Sequence, residues 1–104
     1  MTLPSEQADW GFDEPKNEAA ITTKQIVHEG HPILLVARDA EDGTWQFLTG
    51  GAFSTADALL VALHEIVERD PTICELADLP SGWSAQRDRV GGPWRRARDE
   101  AQSD

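Results

Sequence analysis

Apolar and polar positions change rhythm several times along this chain. Between Met1 and Glu18 the sizeable apolar groups are Leu3, Trp10 and Phe12, set among Ser5, Glu6, Gln7, Asp9, Asp13, Glu14, Pro15 and Asn17. That stretch offers too little apolar surface to offset the entropy of ordering, so it predicts an irregular, flexible acidic arm over residues 1–18. From Ala19 the pattern tightens. Ala20-Ile21-Thr22 reads as a short strand, and Thr23 as the cap of a helical turn through Ile26 and Val27 that stops at Gly30, although these β-branched residues would also suit a longer strand. Pro32 opens Ile33-Leu34-Leu35-Val36-Ala37, a continuous apolar run of strand length that predicts a central strand buried on both faces. The polar connection Asp39-Ala40-Glu41-Asp42-Gly43 separates it from Thr44-Trp45-Gln46-Phe47-Leu48-Thr49, and the pair predicts a β-hairpin.

Gly50-Gly51 ends that strand, and Ser54 or Thr55 can cap a helix after it, with Asp57 adding negative charge at the amino end. Leu59, Leu60, Leu63, Ile66 and Val67 recur at spacings of one, three and four, which predicts one amphipathic helix with His64, Glu65 and Glu68 on its wet side. Asp70-Pro71 ends it and starts a shorter helix carrying Ile73, Cys74 and Leu76. Leu79-Pro80-Ser81-Gly82 fits a turn, and Trp83, Ala85 and Arg87 alternate with polar residues as one more strand. After Gly91-Gly92-Pro93 the end from residue 96 is polar and open to helix formation. This order lacks βαβ alternation, so the expected fold is α+β: a small antiparallel sheet with one main amphipathic helix packed across it, in a single domain over residues 19–95.

A length of 104 residues leaves room for one core and no second domain. No apolar run reaches bilayer-spanning length, the amino end lacks a signal-peptide pattern, and a single cysteine gives no internal disulfide, so the expected compartment is the cytoplasm. Charge adds the most to this picture. The net value is −10, and it is uneven: residues 1–86 hold fifteen acidic and four basic side chains, while residues 87–104 hold four acidic and five basic ones. An acidic body of this kind disfavours anionic membranes and nucleic acid and favours association with positively charged partners.

Three constellations carry candidate chemistry. His28, Glu29 and His31 are credible ligand types for a borderline metal, but the other strong ligands, His64 and Cys74, lie far along the chain without matching spacing. No cofactor is therefore expected. Cys74, between Ile73 and Leu76, reads as a buried thiol rather than a nucleophile, and no elbow or phosphate-binding loop accompanies it. The tail interleaves Trp83, Arg87, Arg89, Trp94, Arg95, Arg96 and Arg98, the residue types that grip single-stranded nucleic acid. Its own Asp88, Asp99 and Glu100, and the charge of the whole chain, oppose that use, and pairing of the arginines with the acidic body is the expected alternative.

The segments Pro32-Ile33-Leu34-Leu35-Val36, Asp42-Gly43-Thr44-Trp45-Gln46-Phe47, Asp70-Pro71 and Asp78 through Arg87 resemble a family of small uncharacterised bacterial proteins with WQF and DLPxGWxAxR segments. That family in turn resembles a larger domain-of-unknown-function group of predicted immunity proteins from bacterial toxin systems. This chain has Asp42-Gly43-Thr44-Trp45 where the larger group shows an Asp-Ser-Gly-Trp turn. The resemblance implies no catalytic residues. The reading that results is a non-enzymatic binding protein of the immunity type, neutralising a basic protein partner through Glu41, Asp42, Glu65, Glu68, Trp94 and Arg95, with oligomeric state open. A small enzyme or metal-binding accessory using His28, Glu29 and His31, and a nucleic-acid binder through the tail, are the alternatives.

Overall fold

Alternation of large apolar groups with small or polar ones across the hairpin sets the inner and outer faces of a sheet, and the rest of the chain is arranged around that. A computed structural model describes residues 11–12, 14–51 and 54–98. The elements in chain order are β1 (Ala19–Thr23), α1 (Lys24–Val27), β2 (Leu35–Arg38), β3 (Trp45–Leu48), β4 (Ala58–Ala62), α2 (Leu63–Arg69), β5 (Trp83–Gln86) and β6 (Arg95–Arg98), with 3-10 turns at Thr55–Asp57 and Pro71–Leu76. The hairpin forms as expected, with Val36 opposite Phe47 and Arg38 opposite Trp45.

The fold is α+β, but the sheet is larger than expected and mixed. Six strands run in the order β4-β1-β3-β2-β5-β6. β1 lies parallel to β3 while every other neighbouring pair is antiparallel. The amphipathic helix expected from Ser54 onward divides. Ser54 Oγ accepts from the N–H of Ala56, capping only a 3-10 turn, and Ala58–Ala62 then pairs along its whole length with β1. The helix proper starts at Leu63, whose N–H donates to the carbonyl of Glu18 at 2.8 Å, as His64 N–H does to Lys16 at 2.9 Å. The arm's backbone thus satisfies donors that a capping side chain would otherwise take. Within α2 the expected phase holds: Leu63 and Ile66 are buried and Glu65 and Glu68 face solvent.

The tail also departs from expectation. Arg95–Arg98 is a strand on β5, with Gln86 opposite Arg95 and Trp83 opposite Arg98, so the residues from 96 start inside the sheet. Extended backbone wins there because the outer side of β5 offers N–H and C=O groups that the tail can satisfy, while the arginine heads stay in water. Of the arm, Gly11, Phe12 and residues 14–18 are described, and Phe12 is buried in the core.

One face of the sheet carries that core. Ala20, Val36, Trp45, Phe47 and Ala85 pack beneath Ile26, Leu63, Ile66, Ile73, Leu76 and Leu79 in one continuous cluster. Trp45 is its centre, stacked on Phe47 with centroids 5.8 Å apart and met edge-on by Phe12 at 5.2 Å. Arg38 closes this end of the sheet. Its guanidinium lies 4.7 Å from the Trp45 ring and donates to the carbonyls of Gly43 and Leu79 and to Glu14 Oε2. Gly43 is required there, since its φ is +73° and a Cβ would come within 2.9 Å of Arg38 Nη2.

Candidate partner-binding surface

The hairpin connection is short, polar and locally tied. Asp39 Oδ1 accepts from the N–H groups of Glu41 and Asp42, at 2.7 and 3.3 Å, and Asp42 Oδ1 accepts from Thr44 N–H at 3.0 Å. Asp39 N–H donates to the Thr44 carbonyl and Gly43 N–H to the Asp39 carbonyl, closing the loop on itself. The Thr44 N–H holds the Asp42 carboxyl below the usual carboxylate range, so it is ionised throughout the physiological range. Glu41, at the loop tip, is exposed, and its carboxylate makes no hydrogen bond or ion pair among the described residues. Two carboxylates of the loop therefore build it and one is presented.

Topology brings further negative charge to the same end of the sheet. Ala19, Trp45 and Ala62 are near one another in register, so the hairpin loop, exposed Glu18 and the first turn of α2, with Glu65, all lie at that end. Glu68, one turn along α2, is also exposed, with His64 Nδ1 2.9 Å from its Oε2. Trp94 and Arg95 are elsewhere: Arg95 pairs with Gln86, at the far end of β5. Of the six residues singled out from the sequence, Glu41, Asp42 and Glu65 thus lie towards one end of the sheet, Glu68 sits further along α2 beside Arg69 and Asp70, and Trp94 and Arg95 are at the other end.

At that far end the structure builds something the sequence does not display. Arg87 is only 2% exposed. Its Nε and Nη2 donate to the carbonyl of Ile33 at 3.1 and 2.9 Å, Nη2 also to Asp70 Oδ2 at 2.6 Å, and Nη1 to Thr72 Oγ1 at 2.9 Å. Asp70 Oδ1 accepts from Thr72 N–H and Thr72 Oγ–H. The Trp94 ring covers the guanidinium, 4.1 Å from its carbon. Trp94 is therefore half-buried on an arginine rather than displayed, and Arg87 is out of reach of any nucleic acid. Arg95 and Arg96 pair with Asp88 and Asp78, as expected of a tail folded onto its own acids. The available signal was the alternation that puts Arg87 in phase with Trp83 and Ala85, against polar neighbours Gln86 and Asp88.

No protein-family model, curated protein or solved structure matches this chain. Its own charges and geometry are what bear on function. The WQF segment supplies the Trp45 and Phe47 of the core, and the segment from Asp78 to Arg87 supplies buried Leu79, the left-handed Gly82 and the Arg87 latch, so these residues have architectural duties.

The remaining chemistry is sparse. An open cleft of about 510 Å³ beside the latch is lined by His31, Pro32, Arg69, Asp70, Thr72 and Val90 among others. Both oxygens of its carboxylate, Asp70, are already engaged, which leaves it poorly suited to proton transfer. His31 Nε2 lies 3.6 Å from Glu29 Oε1, both more than half exposed, and among the described residues no group of three His, Cys, Asp or Glu is arranged around a metal-sized space. Burial, with a smaller contribution from the Asp70 charge, pushes the Cys74 thiol up, away from the thiolate a nucleophile needs. No helix among the described residues is long and apolar enough to cross a membrane.

Proposed function

We propose that this chain is a non-enzymatic binding protein that takes a basic protein partner at the acidic end of its sheet, in the manner of an immunity protein. The observation that carries the reading is the hairpin loop: its fold is fixed by Asp39 and Asp42 through internal hydrogen bonds, which leaves Glu41 presented on a pre-ordered support. Pre-ordering lowers the entropic cost of association, and charge of one sign raises the encounter rate with an oppositely charged surface. Glu18 and Glu65 extend the same field.

The test uses Glu41→Lys with Glu65→Lys, because neither carboxylate supports the fold, whereas reversing Asp42 would also open the loop. Full-length chain immobilised at low salt, exposed to lysate of the source cell, is expected to retain a specific basic protein identified by mass spectrometry. The double variant should associate with that protein more slowly, with the difference shrinking towards 1 M salt, where the Debye length is ~3 Å. Equal association rates for the two proteins at all salt concentrations would overturn the reading.

A further inference from the structure

A six-stranded sheet has two outer edges, and here they are treated differently. On one, β6 reads Arg-Arg-Ala-Arg, with all four residues exposed. Charged side chains of this kind are how edge strands avoid pairing with other chains. The other edge is β4, Ala58-Leu59-Leu60-Val61-Ala62, which carries no charge, no proline and no bulge across its five ladder positions with β1. Alternate residues of β4 direct their N–H and C=O groups away from β1, and these groups make no backbone hydrogen bond to another strand among the described residues. Leu60, at its centre, is 71% exposed and lies opposite Ile21 on the face of the sheet that the helices leave uncovered.

We infer that β4 is a self-pairing edge through which two copies of this chain join, antiparallel, into a continuous twelve-stranded sheet. The sequence of the strand selects a second copy as the occupant. Ala-Leu-Leu-Val-Ala is nearly palindromic in side-chain size, so a two-fold axis at Leu60 sets Leu60 against its own copy, Leu59 against Val61 and Ala58 against Ala62. The same axis brings the Lys24 and Asp57 ion pair at the start of one β4 towards the end of the other, where the chain enters α2 with Glu65 and Glu68. Asp57 travels with Lys24, so this pair adds no net charge to the contact. An acidic or basic partner strand would gain nothing from the uncharged ladder. A strand pair of this length buries less than the ~1,200–2,000 Å² of a standard stable interface, so the dimer is weak and its population depends on concentration.

Each copy carries a charge of −10, so the long-range term opposes this contact. Raising salt from ~0.01 M to ~0.1 M shortens the Debye length from ~30 to ~10 Å and should strengthen the dimer, the opposite of its effect on the basic-partner contact. Failure of one reading therefore leaves the other standing. The experiment is sedimentation velocity on the full chain over a concentration series up to about 1 mM, a range that detects even weak association, with amide exchange measured at both ends of the series. Expected are a monomer–dimer equilibrium that shifts towards dimer with salt, protection of the outward-directed amides of Leu60 and Ala62 that grows with concentration, and loss of both in Leu60→Lys. That substitution is on an exposed side chain, and its circular dichroism should match wild type. A wild-type monomer throughout the series, or dimerisation undiminished in Leu60→Lys, would overturn the inference. If Leu60→Lys failed to fold, concentration-independent exchange of the wild-type Leu60 and Ala62 amides would do so instead.

Discussion

Trp94 roofs Arg87, its ring 4.1 Å from the guanidinium carbon, while Asp70 Oδ2 holds the same group from within at 2.6 Å. One arginine therefore fastens β5, the turn after α2, the loop before β2 and the approach to β6. Arg87→Ala is expected to destabilise the domain by ~3–5 kcal/mol, because it leaves Asp70 and the Ile33 carbonyl without their partner. Arg87→Lys should recover only part of this, since an ammonium cannot reproduce the guanidinium fork. Trp94→Ala, which removes the cover but not the pair, should cost ~1–2 kcal/mol. Urea midpoints measure all three, and an Arg87→Ala variant within ~0.5 kcal/mol of wild type would be at odds with a latch.

Leu63 and His64 are adjacent but on opposite sides of α2. Leu63 is fully buried, so Leu63→Ala should cost ~2–5 kcal/mol through the cavity it leaves. His64 is partly exposed, and its side chain is bonded to exposed Glu68, so His64→Ala should cost under ~0.5 kcal/mol. Equal shifts of the denaturant midpoint would mean the helix is rotated from the phase described.

Legibility of the fold followed how local each decision was. The hairpin, the place of the helical turn at Lys24–Val27 and the Asp70-Pro71 start are readable because the residues that determine them are neighbours in sequence, although the Thr23 side chain makes no capping hydrogen bond to that turn. Leu59 and Leu60 read as helical, for they sit at helical spacing from Leu63 and Ile66, yet β1 needed a partner on its outer side and Ala58–Ala62 supplied it. No sequence neighbour of Leu60 encodes Ile21. Arg95–Arg98 shows the same limit more strongly, since four exposed residues without alternation became a strand through β5 alone. At the candidate site the exposed acids are legible as surface, whereas burial of Arg87 and its cover by Trp94 emerge only when the strands are assembled.

Cys74 should react slowly. Burial first, and the Asp70 charge second, raise its thiol above the ordinary value, so less thiolate is present near neutral pH than in a free cysteine. Iodoacetamide should modify the folded chain more slowly than it modifies the chain in denaturant at the same pH. A faster reaction in the folded state would contradict the environment described.

Asp78 should titrate low. Its hydrogen bond from Arg96, and the charge behind that bond, hold the carboxyl below its ordinary value. With the folded-state value depressed, the contribution of this pair is present above the unfolded value of 3.8 and disappears as pH falls through the lower folded one. Carboxyl carbon shifts followed by NMR across that acid range should show Asp78 titrating below 3.8, and Arg96→Ala should return it upward. An Asp78 titration indifferent to Arg96→Ala would show that the β6 arginine does not dock there.

β1 draws both of its neighbours, β3 and β4, from later in the chain, and one of those pairings is parallel. During synthesis it must therefore wait without a partner while the β2–β3 hairpin, whose strands are contiguous, closes first. β4 pairs only with β1, across a longer stretch of chain than the hairpin closes, which makes the strand carrying Leu60 a late arrival. The order of assembly runs outward from Trp45, and in a refolding experiment substitutions at Phe47 should slow folding while substitutions at Val61 should chiefly hasten unfolding.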